Sequence, residues 1–368
     1  MNKLILGNLV HRPLRSIISA FAVAIEVIMI LSIAAIMFGI LNGSRQQTMG
    51  AGWDVMVHPG ASTALMNTSA AAADVRVADV LRKLPHVEVV APTNIKLTAG
   101  SSLENIYGID FASYNALRPF IFVQGGPFQG PFDMIIDDLQ AASGKGFHVG
   151  DTIKALNHNF RVCGIVEHGK GSRKFIPLDT MDQLDGNPGK AAEFFLRTEN
   201  EPQYQEAVRK EILSTPGLED WSVQTIQEFL STLTPERMPG FNIALRVVIG
   251  IAIVIGFLVI FQSMYTAVME RTREIGILKS MGAGRGGIVS VVLRETGLLA
   301  VVGVILGVVA TYVLRILLHA KFPTLSFQIT PKWVLSAVII ALVGALFGAL
   351  YPALKAARKD PIDALSYE

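Results

Sequence analysis

Apolar and polar positions divide the chain into four long hydrophobic runs and one extended region of short alternating segments. Ile17 to Ile40 is apolar except for Glu26 and its serines. Phe241 to Met269 carries Arg246 near its start and no charge from Val247 onward. A third run covers 289–318 and is clearest from Thr296 to Leu314, and a fourth, Trp333 to Leu354, is uncharged. Because about 20 apolar residues suffice for a helix to cross a bilayer, the pattern predicts four transmembrane helices at 17–40, 241–269, 289–318 and 333–354. Arg246 can run its side chain along the helix to the interface. The first run is longer than the apolar core of a signal peptide and reads as an uncleaved first span.

Between the first two runs, 41–240 holds nothing long enough to span. Strand-like pieces recur at Asp54–His58, Val87–Val90, Ile95–Thr98, Ile106–Ile109, Met134–Ile136, Thr152–Leu156, Phe160–Val166, Phe175–Leu178, Glu193–Thr198 and Trp221–Thr225, with Gly, Asp or Pro between them. Val75–Leu84 and Pro202–Leu213 have helical periodicity. Gly60–Ala73 is rich in small residues and reads as a loop. Gln124–Pro131 (QGGPFQGP) breaks regular structure. The fold class expected is a membrane protein with a one-plus-three span layout and a large extracytoplasmic α+β domain after the first span. That domain divides into two lobes, about 42–120 with 190–235, and about 121–189. An outer loop is expected at 319–332, with short segments at 1–16, 270–288 and 355–368 on the opposite side.

Composition agrees with this class. The chain has 368 residues, of which 51% are hydrophobic and 17% charged, with a mean hydropathy of +0.45. A net charge of +2 gives no bulk nucleic-acid footprint. Charge distribution orients the spans. The segments 1–16, 270–295 and 355–368 hold 11 Lys/Arg in 56 residues, against 17 in the 200 residues of 41–240. The positive-inside bias therefore places both termini in the cytoplasm and the large domain outside. A multi-pass membrane protein follows, and the family resemblance described below implies the bacterial cytoplasmic (inner) membrane.

Met269 to Ile288 (MERTREIGILKSMGAGRGGI) lies between the second and third runs. Ile275, Leu278 and Met281 fall at helical spacing with charge on the other face. Gly282, Gly284, Gly286 and Gly287 mark where that helix would stop. The stretch is either a surface helix that lies in the headgroups or docks on a partner, or a solvated loop obeying the charge bias.

Candidate chemistry is sparse. The sequence holds no G-x-x-x-x-G-K-[ST], H-E-x-x-H or G-x-S-x-G motif. The single cysteine, Cys163, excludes an intrachain disulfide and sits in a strand-like run, and the seven histidines lack ligand spacing. The expectation is a non-enzymatic chain with no catalytic, cofactor or metal residues of its own. Glu26 is the ionisable residue deep in a span, where a charge is costly. It is a polar lock or relay, or a protonated, helix-facing structural residue. Gly303 with Gly307, and Gly344 with Gly348, form G-x-x-x-G pairs that let helices approach closely, within the chain or between two copies. Asp360-Pro361 predicts a short terminal helix from Pro361 to Leu365.

Glu270-Arg271-Thr272-Arg273-Glu274-Ile275-Gly276-Ile277-Leu278-Lys279-Ser280-Met281-Gly282-Ala283 resembles the signature after the second span of the FtsX-like/MacB-type permeases of ABC transporters. Glu295 matches their usual glutamate at the start of span three. Tyr351 to Arg358, with Asp360 to Leu365, resembles their closing motif. Tyr107-Gly108-Ile109-Asp110, Gly150-Asp151-Thr152 and Phe160 to Ile165 are similar to the MacB-like periplasmic domain. The resemblance implies a permease subunit that pairs with a second copy and binds a separate cytoplasmic ATPase dimer, in which ATP-Mg would reside. A periplasmic adaptor or membrane-fusion protein is a further candidate partner. Glu270, Arg271, Arg273, Glu274, Ile275, Gly276, Leu278, Lys279 and Met281 would form the ATPase-coupling helix. MacB fuses its ATPase to the permease, so the missing P-loop is a departure that agrees with split members of the family. The implied mechanism transmits ATP-driven motion to the outer domain, for export or extraction of a lipid, lipoprotein, peptide or drug-like substrate. The alternative is a non-transporting mechanotransmitter that regulates an envelope partner such as a wall hydrolase. A ligand-sensing receptor is disfavoured by the coupling signature.

Overall fold

The computed structural model describes residues 13–60, 72–99, 103–144, 146–199, 202–237 and 240–358. The expected terminal helix at 361–365 and most of the expected loop at 60–73 lie outside them. The chain forms two compact units, one of residues 1–39, 239–320 and 326–368, the other of 40–238 and 321–325.

The first unit is helical. Four helices are long and apolar enough to cross a membrane. They are α1 (Pro13–Ala51), α8 (Phe241–Glu270), α10 (Arg285–Lys321) and α11 (Pro331–Arg358), with the short α9 (Thr272–Ser280) after α8. Each exceeds its expected span, because apolarity marks the part suited to lipid whereas helix length follows hydrogen bonding and caps. Thus α1 continues from Ile40 to Ala51, and α10 begins at Arg285, four residues before position 289. Gly286 and Gly287, expected in the turn, are the second and third residues of α10.

Small residues set the packing. Ala337, Ala341, Ala345 and Ala349 form a fully buried stripe at i+4 spacing on α11. They share a core with Val27 and Ile30 of α1, Ile260 of α8, and Ala300 of α10. A Cβ on Gly303 would lie 2.5 Å from the Ala20 carbonyl oxygen, and one on Gly307 would lie 2.8 Å from that of Ala24. The glycine pair of α10 therefore lies directly against α1. Gly348 meets α8 in the same way, 3.0 Å from the Phe257 oxygen. Such close backbone approach replaces the hydrophobic effect as a packing force in lipid.

The second unit centres on a ten-stranded sheet. Its strands are β1 (Val55–His58), β3 (Val87–Ala99), β4 (Leu103–Ile109), β5 (Phe122–Gly125), β6 (Asp133–Asp137), β7 (Thr152–Ala155), β8 (His158–Val166), β9 (Lys174–Pro177), β11 (Glu193–Thr198) and β12 (Ser222–Thr225). The order is β12-β1-β11-β3-β4-β9-β6-β8-β5, with β7 on β8. β2 (Ala73–Asp74) and β10 (Lys190–Ala191) form a separate ladder. The two expected lobes are not separate layers. The strands of each are contiguous, but β4 pairs in parallel with β9 and carries the sheet across the boundary.

Val87–Val90 and Ile95–Thr98 belong to one 13-residue strand. Pro92, which cannot donate to a ladder, lies between them. Here it sits opposite Phe194 in register, in a central strand whose other residues keep the pairing. Helices α2 (Val77–Leu81), α3 (Phe111–Leu117), α4 (Asp138–Ala141), α5 (Leu178–Leu184), α6 (Pro202–Ser214) and α7 (Ile226–Thr232) flank the sheet. Both sheet faces are covered, so the run Phe194-Phe195-Leu196 is buried on each side. One face packs Trp53, Tyr114, Phe120, Phe175 and Phe195 together. Helices too short to show a period escaped the sequence pattern. Three are started by caps, in which Asp110 accepts from the Ser113 amide, Asp137 accepts from the Gln140 amide, and Thr225 forms a capping box with Glu228.

Candidate functional site

The junction between α8 and α10 is built from a break and a stop. At Arg271 the backbone leaves helical values, with φ −107° and ψ 18°, and separates α8 from α9. Thr272 closes the corner by donating its hydroxyl to the Met269 carbonyl at 2.8 Å. At the other end Gly282 adopts φ +93°. The Gly282 and Ala283 amides donate to the carbonyls of Lys279 and Leu278, each at 3.0 Å. This is a Schellman stop, and its left-handed residue favours glycine. Only Gly282 to Gly284 serves as the turn.

One face of α9 is fastened to the bundle. The Arg271 guanidinium donates to Glu295 of α10 at 3.2 and 3.4 Å, with both side chains largely buried. The Lys279 ammonium donates to the Ala357 carbonyl at the end of α11, 3.1 Å away. Ile275 packs against a cluster of Val268, Ile288, Ala356 and Ala357, and Gly276 is buried. Nearby, Lys355 of α11 donates to the Tyr265 hydroxyl at 2.8 Å.

The opposite face is exposed. Glu270, Arg273 and Glu274 are exposed. Arg273 and Glu274 make no ion pair among the described residues. Ile277 is 43% exposed and Met281 72%, and they are one turn apart. Of the nine residues expected to couple to an ATPase, Arg271, Ile275, Gly276 and Lys279 thus turn inward. Glu270, Arg273, Glu274 and Met281 turn outward, and Leu278 is half-buried. Met281 does not share the inner line of Ile275, because the helix ends at Ser280 and Met281 belongs to the cap. Ile277 was missed as a site residue. Its signal was an isoleucine on the charged side of an otherwise amphipathic helix.

Glu26 is 3% exposed within the bundle. Neither carboxyl oxygen has a hydrogen-bond partner among the described residues. A Cβ on Gly256 of α8 would overlap Glu26 Oε2, and one on Gly344 of α11 would lie 3.7 Å from Oε1. The carboxyl therefore sits in a notch between two bare glycine backbones. Gly256 carried a readable hint as an isolated glycine in the run IAIVIGFLVIF.

In the sheet unit a cavity of about 480 Å³ is lined by Met49, Trp53, Asp54, Glu88, Arg197 and Ile226, among others. Its polar groups largely bond one another. Asp54 accepts from the Thr198 amide at 2.9 Å, and Arg197 pairs with Glu88 at 2.8 Å. Among the described residues no group of three or more His, Cys, Asp or Glu could hold a metal ion.

Four membrane-length helices and a sheet unit inserted after the first define a multi-pass membrane protein. The family described as FtsX-like permease C-terminal matches residues 246–361, and the MacB-like periplasmic core domain matches 16–214. The chain belongs to the ABC transporter permeases of the MacB/FtsX type. The uncharacterized ABC transporter permease MJ1507 of Methanocaldococcus jannaschii is 28% identical over 200 residues, 52% of this chain and 50% of that protein. The macrolide export ATP-binding/permease protein MacB of Escherichia coli K12 is 27% identical over 282 residues, 72% of this chain and 42% of MacB. These matches span half or less of the relatives' own length. The crystal structure of the periplasmic region of MacB from Actinobacillus actinomycetemcomitans is similar at a TM-score of 0.39 and 16% identity, over 52% of this chain and 97% of that one.

Proposed function

We propose that this permease takes up motion from a separate ATPase at the outward face of α9 and passes it through the helical bundle to the sheet domain. The observation that carries this reading is the two-sidedness of α9. Its inner face is anchored to α10 by Arg271–Glu295 and to α11 by Lys279–Ala357. A push on it reaches two long helices at once instead of being lost in a flexible loop. Its outer face offers Ile277 and Met281 between Glu270, Arg273 and Glu274. A small apolar centre inside a charged rim is the composition of a protein-docking patch.

In this reading α9 and both termini face the cytoplasm, as their Lys/Arg density supports. The partner is an ATPase dimer that binds ATP-Mg, and a second permease copy completes the assembly. The cargo is a lipid, lipoprotein, peptide or drug-like molecule. The MacB relative is a macrolide export protein by name, which makes macrolides the first cargo to assay.

The test is co-expression with a candidate partner ATPase of the ABC type. Ile277→Glu with Met281→Glu should abolish co-purification and permease-stimulated ATP turnover while the chain stays in the membrane. Undiminished co-purification and turnover would falsify the coupling role of this face.

A further inference from the structure

A second fastening lies in the sheet unit, at the loop that joins α10 to α11. Arg173 immediately precedes β9. Its backbone is held in place, since the Arg173 carbonyl accepts from the Asp137 amide at 2.9 Å. The adjacent Ser172 hydroxyl donates to the Asn105 carbonyl at 2.6 Å. The Arg173 side chain is 16% exposed, and its guanidinium makes two contacts of different kinds. One nitrogen donates to the Asp137 carboxylate at the end of β6, at 3.3 Å. The other donates to the backbone carbonyl of Thr324, at 3.2 Å. Asp137 is itself fixed, because its second oxygen accepts from the Gln140 amide at 2.6 Å.

Thr324 lies in the five residues Lys321–Leu325 that pack with the sheet unit, although the helices on either side of the loop belong to the helical unit. A tight turn shapes the segment, with the Leu325 amide donating to the Phe322 carbonyl at 3.0 Å. The loop then continues into the helical unit. The Ser326 carbonyl abuts Gly39 so closely that a Cβ there would overlap it. The Gln328 amide donates to the Ala35 carbonyl at 3.0 Å, and Phe327 is buried. Within about ten residues the loop is gripped first by the sheet and then by α1. The chain also passes between the units within α1. A guanidinium suits such a grip, since it presents several donors in a rigid fork and can hold a carboxylate and a carbonyl together.

We propose that Arg173 is a positioning residue that clamps the α10–α11 loop onto β6 and β9, so that movement of the third and fourth spans is delivered to the middle of the sheet. The transmitting part rests on the coupling reading above; the clamp itself does not. Removing Arg173 frees the loop from the sheet without touching α9 or the bundle core. It also leaves Asp137 without its cation.

Hydrogen exchange on the full-length protein in lipid nanodiscs tests the clamp first, without nucleotide. Arg173→Ala should speed exchange of the peptide covering 321–328 about tenfold, the loss of one charged hydrogen bond. Arg173→Lys, which keeps the charge and loses the fork, should fall between. Arg161→Ala removes a different arginine, paired with Asp133 on the same strand β6, and should leave the loop unchanged. Equal loop exchange in wild type and Arg173→Ala, or an equal rise in Arg161→Ala, overturns the clamp.

The second arm uses the complex with its partner ATPase and adds ATP-Mg. Peptides covering β6 and β9 should change exchange in wild type and lose that response in Arg173→Ala while the complex remains assembled. A response retained in Arg173→Ala overturns the transmitting role of Arg173 alone. Absence of any response in wild type overturns the coupling reading, and the first arm still decides the clamp.

Discussion

The carboxyl of Glu26 occupies the space where a side chain at position 256 would begin. The two residues lie on different helices, and each explains the other. Gly256 leaves room for a polar group in the bundle core, and Glu26 fills what would otherwise be a void between α1 and α8. Gly256→Ala should therefore overpack this point and destabilise the bundle by about 1–3 kcal/mol. Glu26→Ala opens space, so the double variant should recover much of the loss. Thermal unfolding of the detergent-purified chain measures this as a non-additive cycle. Additive effects would show that the two positions do not share one site. Glu26→Gln keeps the volume and removes the ionisable group. If the carboxyl is a lock or relay, permease-stimulated ATP turnover falls while expression holds, and unchanged turnover marks Glu26 as a packing residue.

The Arg271–Glu295 pair gives a prediction of opposite character. Breaking a buried ion pair on one side leaves an uncompensated charge, at a cost of about 3–5 kcal/mol, whereas replacing both partners with apolar groups can be neutral. Arg271→Met should therefore lower the unfolding temperature more than Arg271→Met with Glu295→Leu. A double variant as unstable as the single one would mean that the pair itself, and not the orphaned charge, sets the stability.

Glycines of α10 should divide by their surroundings. Gly303→Ala and Gly307→Ala press a methyl against α1 and should each cost about 1–3 kcal/mol. Gly297 has open space where its Cβ would go. Gly297→Ala should be neutral or stabilising by up to about 1 kcal/mol, from helix propensity alone. The three melting temperatures in one detergent decide it, and equal effects would contradict the packing of α10 on α1.

The sheet unit carries a pH dependence with a defined sign. Burial pushes the Asp137 carboxyl from 3.8 up to about 6, opposed by Arg173 and His168 and reinforced by Asp138. Burial likewise pushes Asp182 to about 7; the Asn94 bond and the Lys190 backbone oppose this, and Asp179 and Asp185 add to it. Each group binds its proton more tightly folded than unfolded. Its contribution is present in full below pH 4 and is lost as pH rises through 6 and 7. Asp133 is held low and acts in the opposite direction, so the contribution of Asp182 is best read as a difference. Relative to wild type, Asp182→Asn should gain on the order of 2–4 kcal/mol between pH 4.5 and 7.5. Chemical unfolding followed by the sheet signal measures it. A constant difference across that range would show that Asp182 ionises without penalty.

Much of this architecture was legible in local sequence. Four long apolar runs predict helices, because a backbone in lipid must satisfy its own hydrogen bonds. Strands such as Phe160–Val166 were visible because Gly and Asp punctuate them. Less visible were elements whose reason lies elsewhere in the chain. The strand Val87–Ala99 survives Pro92 because neighbours on both sides hold it. The helices at Phe111–Leu117 and Leu178–Leu184 are too short to show a period. The candidate site divided along the same line. Glu270 to Met281 could be marked as one amphipathic stretch, but its inner and outer residues were not separable until Arg271 met Glu295 and Lys279 met Ala357.

By itself, then, the sequence determined the spans, the inserted domain and an amphipathic stretch after the second span, since each follows from hydrophobicity, charge bias and chain propensities over neighbouring residues. Only the tertiary structure decided that Glu26 faces Gly256, that Gly303 and Gly307 lie on α1, and that Arg173 reaches Thr324. Glu26 and Gly256 are 230 positions apart, Gly303 and Gly307 each lie 283 from the α1 carbonyl they meet, and Arg173 and Thr324 are 151 apart. What joins them is close packing and hydrogen-bond geometry between elements, which no local pattern encodes.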